Sequence, residues 1–250
     1  MFLLDDNNLY LNTIAQNLRG YLQQGTMQTL GRLGVFHCYH PQALRQVPLH
    51  QPGLVLVVSG VKQLYAEQQP VRYQAGQLML FGASSEVHIE NLPAPGSDYL
   101  ALAATFTPAL LERFVASYGS QLDLWSQPPL TKATASSDLL QALSQWLSWD
   151  KQSRVAALGT YHLCANGHCS WFEFAREIVT RAKQAGLIGR APAVVPIATA
   201  DYPTRARRPA WSVLDTTKIR AAFGLNLPRW EQGLDAVIGE LAEAGRQDSR

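Results

Sequence analysis

A chain of 250 residues, 47% apolar and 16% charged, is long enough to bury a core in one large domain or two ordinary ones, and its balance is not that of a disordered polymer. A formal charge of +2 excludes the strong positive field of a general nucleic-acid binder. Three cysteines, Cys38, Cys164 and Cys169, are too few and too unevenly placed for the disulfide framework of a small secreted scaffold.

The chain opens on Met1-Phe2-Leu3-Leu4 and runs straight into Asp5-Asp6, with no basic leader, and its longest apolar run, Leu54 to Val58, is far short of a membrane span. A soluble cytoplasmic protein is expected. Leu9, Ile14, Leu18 and Leu22 then recur at near-helical spacing up to Gly25, which predicts a short amphipathic helix. After it the period changes to two. Short β-rich runs follow at 35–39, 54–59, 62–66, 77–81, 87–89 and 99–103, separated by Gly53, Gly60, Gly76, Gly82, Pro93, Pro95 and Gly96. Many short strands at this spacing predict an antiparallel sandwich or barrel. Thr107-Pro108 opens a helix with Leu110, Leu111, Phe114 and Val115 as its stripe and Gly119 as its stop. A second helix starts at Ser136-Ser137-Asp138 and carries Leu139, Leu140, Leu143, Trp146 and Leu147.

The order of helix, strand-rich run and helix, with Pro52–Lys62 (Pro-Gly-Leu-Val-Leu-Val-Val-Ser-Gly-Val-Lys), Tyr73–Phe81 and the Tyr99-Leu100-Ala101-Leu102 to Thr107-Pro108 stretch, resembles the N-terminal effector domain of AraC-type transcription regulators. The resemblance covers the first 130 residues or so. It implies a cupin-like barrel that binds a small molecule or dimerises. No later segment pairs short helices with a basic recognition face, so direct DNA binding is not expected. A metal-dependent cupin would need histidines and a carboxylate converging on one ion. His37, His40, His50 and His88 form no His-x-His pair, and neighbouring strand residues face opposite ways, so no metal is expected.

Residues 1–150 thus read as one module and 155–248 as a second, joined by the short polar stretch 148–154, which contains no proline or glycine. Val155 to Leu163 reads as a strand entering a turn at Asn166-Gly167. Ser170 and Glu173 form a capping box for a helix with Trp171, Phe174, Ala175, Ile178, Val179 and Ala182, stopped by Gly186. Val194-Val195-Pro196-Ile197 reads as a short edge strand. Asp215 or Thr216 caps a helix ending at Phe223-Gly224, and a last helix from Pro228 is expected to bury Trp230, Leu234, Val237, Ile238 and Leu241.

Three pieces of this second module, Gly159–Ala175, Tyr202-Pro203-Thr204 to Lys218, and Phe223 to Trp230, resemble the substrate-binding lobe of dTDP-4-dehydrorhamnose reductases, in the extended short-chain dehydrogenase group. Trp211 stands where that family has asparagine, and His168-Cys169 replace an acidic and a small residue. The resemblance implies an NADPH-dependent reduction, but two parts that it requires are missing. No Gly-rich dinucleotide turn occurs, and no tyrosine has a lysine four residues on. The chain by itself is therefore expected to bind no cofactor and to have no catalytic residue. NADPH enters only if a partner chain supplies the nucleotide-binding half.

Candidate substrate contacts are Arg205, Arg207, Arg208, Trp211 and Trp171. Arginine forks match phosphate oxygens, and a sugar nucleotide would suit the three in their proline-flanked loop; a solvated basic loop is the equal alternative. His162, Cys164, His168 and Cys169 crowd four potential zinc ligands into eight residues, closer than structural zinc sites space them. The architecture expected is α+β: an N-terminal cupin-like antiparallel barrel with flanking helices, then a small α/β lobe. The function expected is a fusion of a regulator-type small-molecule barrel with a sugar-nucleotide lobe, homodimeric through its N-terminal part. The alternatives are a reductase completed by a partner chain, or a dimerising transcription modulator without its own DNA-binding part.

Overall fold

The computed structural model describes residues 3–22, 28–30, 33–49, 51–66, 69–82, 84–110, 112, 130–202 and 209–247. They belong to two compact units, Met1–Leu158 and Gly159–Arg250. Among the described residues no helix is long and apolar enough to cross a membrane.

Among the described residues the first unit has helix α1 (Leu3–Tyr21), followed by ten strands: β1 (Gln28–Leu30), β2 (Leu33–Cys38), β3 (Gln42–Leu49), β4 (Gly53–Ser59), β5 (Val61–Ala66), β6 (Gln69–Gln74), β7 (Gln77–Phe81), β8 (Ser84–Leu92), β9 (Tyr99–Thr105) and β10 (Leu130–Thr134). They form two antiparallel sheets, ordered β1-β2-β9-β4-β7-β10 and β3-β8-β5-β6. One apolar layer lies between the sheets: Val55, Val57, Met79, Phe81, Tyr99 and Ala101 from the larger meet Leu64, Tyr73, Val87 and Ile89 from the smaller. A second layer covers the outer face of the larger sheet. There Val35, Leu56, Val58, Leu100 and Leu102 pack under Leu11, Ile14 and Leu18 of α1 and under Leu140 and Leu147 of helix α2 (Ser137–Ser148). Strand β4 is buried on both faces, which is why Leu54–Val58 reads as one unbroken apolar run rather than an alternation. Leu9, expected on the α1 stripe, is 61% exposed; Leu11 takes its place, three residues before Ile14 and seven before Leu18.

The four strands that the sequence did not predict are edge or short elements. β1 has three residues, β10 closes one end of the larger sheet, and β3 and β6 are the edges of the smaller one. Edge strands tolerate the prolines found there, Pro48 and Pro70, and need no apolar alternation. The helix expected from Thr107 is seen at 108–110 and 112, with Thr107 Oγ1 accepting from Leu110 N; Leu111, Phe114, Val115 and Gly119 lie outside the described residues.

Ser136 caps α2 by accepting from Leu139 N, and Asp150 caps helix α3 (Lys151–Ala156) by accepting from Ser153 N at 2.8 Å. The strand expected from Val155 is therefore replaced at its start by a helical turn. Arg154 holds that turn in place: it is buried, donates to Leu147 O and Trp149 O and to the Tyr21 hydroxyl, and stacks on the Tyr21 and Trp146 rings.

The second unit is helical in its regular parts: α4 (Trp171–Gln184), a 3₁₀ turn at Thr199–Asp201, α5 (Thr217–Phe223) and α6 (Trp230–Gln247). Ser170 and Glu173 form the expected capping box. Asp215, rather than Thr216, supplies the side-chain cap of α5, accepting from Thr217 N at 2.8 Å. Neither Val155–Leu163 nor Val194–Ile197 forms a strand. A strand needs a ladder partner, and within this unit the sole bridge among the described residues joins Asn166 to Arg229. Ala182, Leu234 and Ile238 form the α4–α6 contact, with Phe174, Ile178 and Trp230 around it. Val237 and Leu241, expected in that core, are each 53% exposed.

Candidate functional site

Strand periodicity places two polar residues inside the sandwich. Lys62 shares the inward face of β5 with Leu64, and Asn91 shares that of β8 with Val87 and Ile89. They are direct cross-strand partners. Lys62 is 3% exposed, and its Nζ donates to Asn91 Oδ1 at 2.9 Å. Asn91 Nδ2 reaches Gln42 Oε1 on the edge strand β3 at 3.4 Å, so a polar chain runs from an exposed edge to the interior. From the opposite sheet, the Phe36 and Tyr99 rings lie 5.6 and 5.7 Å from Lys62 Nζ, at cation–π distance. The Tyr99 hydroxyl is buried and has no hydrogen-bond partner. Cys38, half-buried, is the cross-strand neighbour of Tyr99.

Burial lowers the Lys62 pKa to about 8, and burial pushes the Tyr99 phenol and the Cys38 thiol up. This end of the sandwich is therefore rich in donors, Lys62, Tyr99 and weakly Cys38, and none of the described carboxylates pairs with Lys62. The signal was present in the sequence: a lysine two residues before Leu64 in a strand must share its face.

A second polar cluster sits beside it. Asp98, 2% exposed, accepts from Arg19 Nε at 2.8 Å and Nη2 at 2.7 Å, and its Oδ2 lies 3.0 Å from His37 Nε2. The Arg19 guanidinium, with His37, holds the Asp98 carboxyl well below the usual carboxylate range, although burial opposes this. Arg19 closes α1, so the pair ties that helix to the β9 entry. His37 is thus part of a structural network.

In the second unit, Arg205, Arg207 and Arg208 lie outside the described residues. Trp171 is the first residue of α4, 79% exposed, with its ring centroid 6.4 Å from that of Phe174. Trp211 is 65% exposed and meets His168 edge-on at 5.0 Å. No direct contact joins the two indoles among the described residues. His162, Cys164, His168 and Cys169 do not converge, since no group of three or more His, Cys, Asp or Glu able to hold an ion occurs among the described residues.

An open cleft of about 330 Å³ is lined by His168, Cys169, Glu173, Arg176, Glu177, Trp230 and Glu231. Three carboxylates against one guanidinium disfavour a pyrophosphate there. The α4 N-terminus is also closed, because Glu173 accepts from Ser170 N at 2.7 Å and from Ser170 Oγ at 2.9 Å. A dinucleotide would need a free helix N-terminus behind a glycine turn, so this helix end does not fit NADPH. Lys218, of the Tyr-Pro-Thr to Lys segment, instead donates to Thr160 O at 3.1 Å and lies 4.4 Å from the Tyr161 ring centre.

Two family models match the chain, overlapping over residues 126–160. The model of the AraC-type transcriptional regulator N-terminus matches residues 29–160, more than half of the chain, and that of the RmlD substrate binding domain matches residues 126–243. The dTDP-4-dehydrorhamnose reductase of Aggregatibacter actinomycetemcomitans is 38% identical over 104 residues, 42% of this chain and 35% of the relative. That of Escherichia coli K12 is 37% identical over 83 residues, 33% of this chain and 28% of the relative. The chain thus spans about a third of the length of the curated relatives it matches. Among solved structures, ToxT from Vibrio cholerae is similar at 8% identity with a TM-score of 0.39, over 48% of each chain. A cupin superfamily protein from Desulfitobacterium hafniense is similar at 11% identity with a TM-score of 0.29, over 36% of this chain and 87% of that one.

Proposed function

Because this chain belongs to the AraC-type transcriptional regulator N-terminus family, we propose that its first unit is a small-molecule effector module, fused to a sugar-nucleotide lobe that does not catalyse reduction by itself. The observation that carries the reading is the donor-rich cluster of Lys62, Asn91 and Tyr99 inside the sandwich. A buried lysine with no carboxylate partner costs stability that packing alone would not select, and such groups cluster at binding sites. The lobe reading rests on the RmlD match and the reductase relatives. The non-catalytic part rests on the missing glycine turn and Tyr-x-x-x-Lys pair, and on Glu173 filling the α4 N-terminus.

In this reading Arg205, Arg207 and Arg208 are the phosphate donors of the lobe, with Trp211 and Trp171 flanking the sugar or base. The module pairs with a second copy through its first unit, works in the cytoplasm and contacts neither DNA nor membrane. A thermal-shift and calorimetry panel of dTDP, dTDP-rhamnose, NADPH and neutral sugars tests both halves. Binding of dTDP that weakens by about 10–100-fold in the Arg207→Ala/Arg208→Ala double variant is expected, from loss of charge-assisted bonds. Absence of any dTDP binding would remove the lobe reading. Trp211→Asn restores the reductase residue: tighter dTDP binding marks the indole as a plug, weaker binding as a stacking partner.

A second reading, a reductase completed by a partner chain, is favoured by one observation. Trp171, Val195, Ile197, Tyr202 and Trp211 of the second unit are all more than 60% exposed, an apolar excess suited to a covering partner. NADPH oxidation by the purified chain plus a nucleotide-binding partner, and not by the chain alone, would select that reading.

A further inference from the structure

One turn of the second unit brings a reactive pair of groups together. Seven asparagines occur in the chain, at 7, 8, 12, 17, 91, 166 and 226, and Asn166 alone is followed by glycine. The others precede asparagine, leucine or threonine, whose side chains crowd the peptide nitrogen. Asn166 and Gly167 are both exposed, so water and hydroxide reach them. Gly167 N donates to Asn166 Oδ1 at 2.9 Å and, among the described residues, to no backbone carbonyl. The side-chain carbonyl carbon, one bond from that oxygen, is within reach of the same nitrogen. The main chain at this residue also anchors a helix. Asn166 N donates to Pro228 O at 2.7 Å and Trp230 N donates to Asn166 O at 3.0 Å, forming the bridge between Asn166 and Arg229. Trp230 is the first residue of α6, and its ring lies 5.6 Å from that of Phe174 at the margin of the α4–α6 contact.

We propose that Asn166 is a site of spontaneous deamidation, which ages the second unit by lengthening its main chain where α6 is anchored. Hydroxide takes the Gly167 N–H proton, the nitrogen attacks Asn166 Cγ, and the Cγ–Nδ2 bond breaks to release ammonia. Water then opens the five-membered succinimide at either carbonyl. Opening at the side-chain carbonyl gives aspartate, and opening at the main-chain carbonyl gives isoaspartate. Hydroxide and water are the sole reagents. In the isoaspartyl form the chain leaves position 166 through Cβ, one carbon longer than before. Gly167 then no longer both follows it and lies against the Trp230 ring, where an added Cβ would meet Cδ1 at 3.2 Å. The bridge to the start of α6 loosens as a result.

The test ages the full chain in warm, mildly alkaline buffer and follows each asparagine by peptide mapping and mass spectrometry. The peptide holding Asn166 is expected to convert about tenfold faster than any other, with isoaspartate among its products. Asn166→Gln, whose amide would have to close a six-membered ring, is expected to stay unmodified over the same time. Gly167→Ala is expected to convert several-fold more slowly, because its methyl shields the nitrogen, although looser packing beside Trp230 would by itself speed conversion. In the aged chain, hydrogen exchange at Trp230 N–H is expected to rise about tenfold while the amides of the first unit hold. Freshly purified Asn166→Asp, which turns amide to acid without lengthening the main chain, is expected to exchange as wild type does. Conversion spread evenly over the asparagines, absent at position 166 or undiminished in Gly167→Ala overturns the proposal. So does a converted chain whose Trp230 exchange is unchanged, or an Asn166→Asp variant that exchanges as fast as the aged chain, since either removes the lengthened main chain as the cause.

Discussion

The two units differ in how much of their apolar surface they cover themselves. The first buries two layers: Val57, Tyr99 and Leu64 between its sheets, and Ile14, Leu18 and Leu140 under its helices, all at 0% exposure. The second buries Ile219, Phe223, Leu225, Leu227, Ala182, Leu234 and Ile238 at 4–8% exposure, and among its described residues none reaches zero. It leaves Trp171, Tyr202, Trp211, Val195 and Ile197 largely in solvent. A unit that covers both faces of its central sheet carries its own stability. A unit whose large side chains lie outside relies on capping, on one helix pair and on whatever meets its surface.

The sharpest way to break this comparison is to separate the units. Residues 1–158 are expected to unfold cooperatively by circular dichroism, and residues 159–250 to melt without a sharp transition. A cooperative, heat-capacity-rich transition in the isolated second unit would refute the contrast.

Next come single side chains. Leu56 is 2% exposed beneath α1 and α2, and Leu56→Ala is expected to cost about 3–4 kcal/mol in urea denaturation. Leu234, in the thinner α4–α6 contact, should cost about 2 kcal/mol when cut to alanine. Equal costs would show that the second core packs as tightly as the first.

A smaller effect attaches to Asp98. Arg19 is 39% exposed, so solvent screening reduces the worth of its pairing, and Asp98→Asn is expected to cost about 1–2 kcal/mol at pH 7. The carboxyl is held below its unfolded pKa, so its contribution is complete above about pH 5, the upper end of the unfolded carboxylate range. It disappears as the pH falls through the depressed folded value. The stability gap between wild type and Asp98→Asn should therefore be flat from pH 5 to 7, begin to narrow below about pH 4 and close only as the pH falls through the depressed folded value. A gap that does not narrow at all between pH 5 and pH 2 would mean that the effect is packing and not charge.

Smallest is Gly167. Its φ of +87° lies in the left-handed region, and an added Cβ would meet Trp230 Cδ1 at 3.2 Å. Gly167→Ala is expected to cost about 1–2 kcal/mol of the second unit's stability alone. A shift in the first unit's transition would contradict the independence of the two.

Much of this fold is legible along the chain. Alternation and both-face runs locate β2, β4, β5, β7, β8 and β9, while Ser136, Ser170, Glu173, Gly186 and Gly224 mark helix ends with the residue types those positions require. The edge strands escaped because one ladder and one buried face ask little of a sequence. The extent of α3 escaped because Val155-Ala156-Ala157 suits strand or helix equally, and Asp150 and the distant Tyr21 decide the matter.

The candidate site divides in the same way. The resemblance to the reductase lobe marked Trp171 and Trp211, the phosphate chemistry of arginine marked the Arg205–Arg208 loop, and the sequence shows no Gly-rich dinucleotide turn. Lys62, Asn91, Gln42 and Tyr99 come from four strands, with the first and last, Gln42 and Tyr99, 57 positions apart in the chain. Each is unremarkable in its own segment. Sheet register sets Lys62 opposite Asn91, and the facing of two sheets sets the Tyr99 ring near Lys62. A period of two reports which side of a strand a residue occupies, whereas which strand lies across from it depends on how the sheets close, and that is decided by packing over the whole unit.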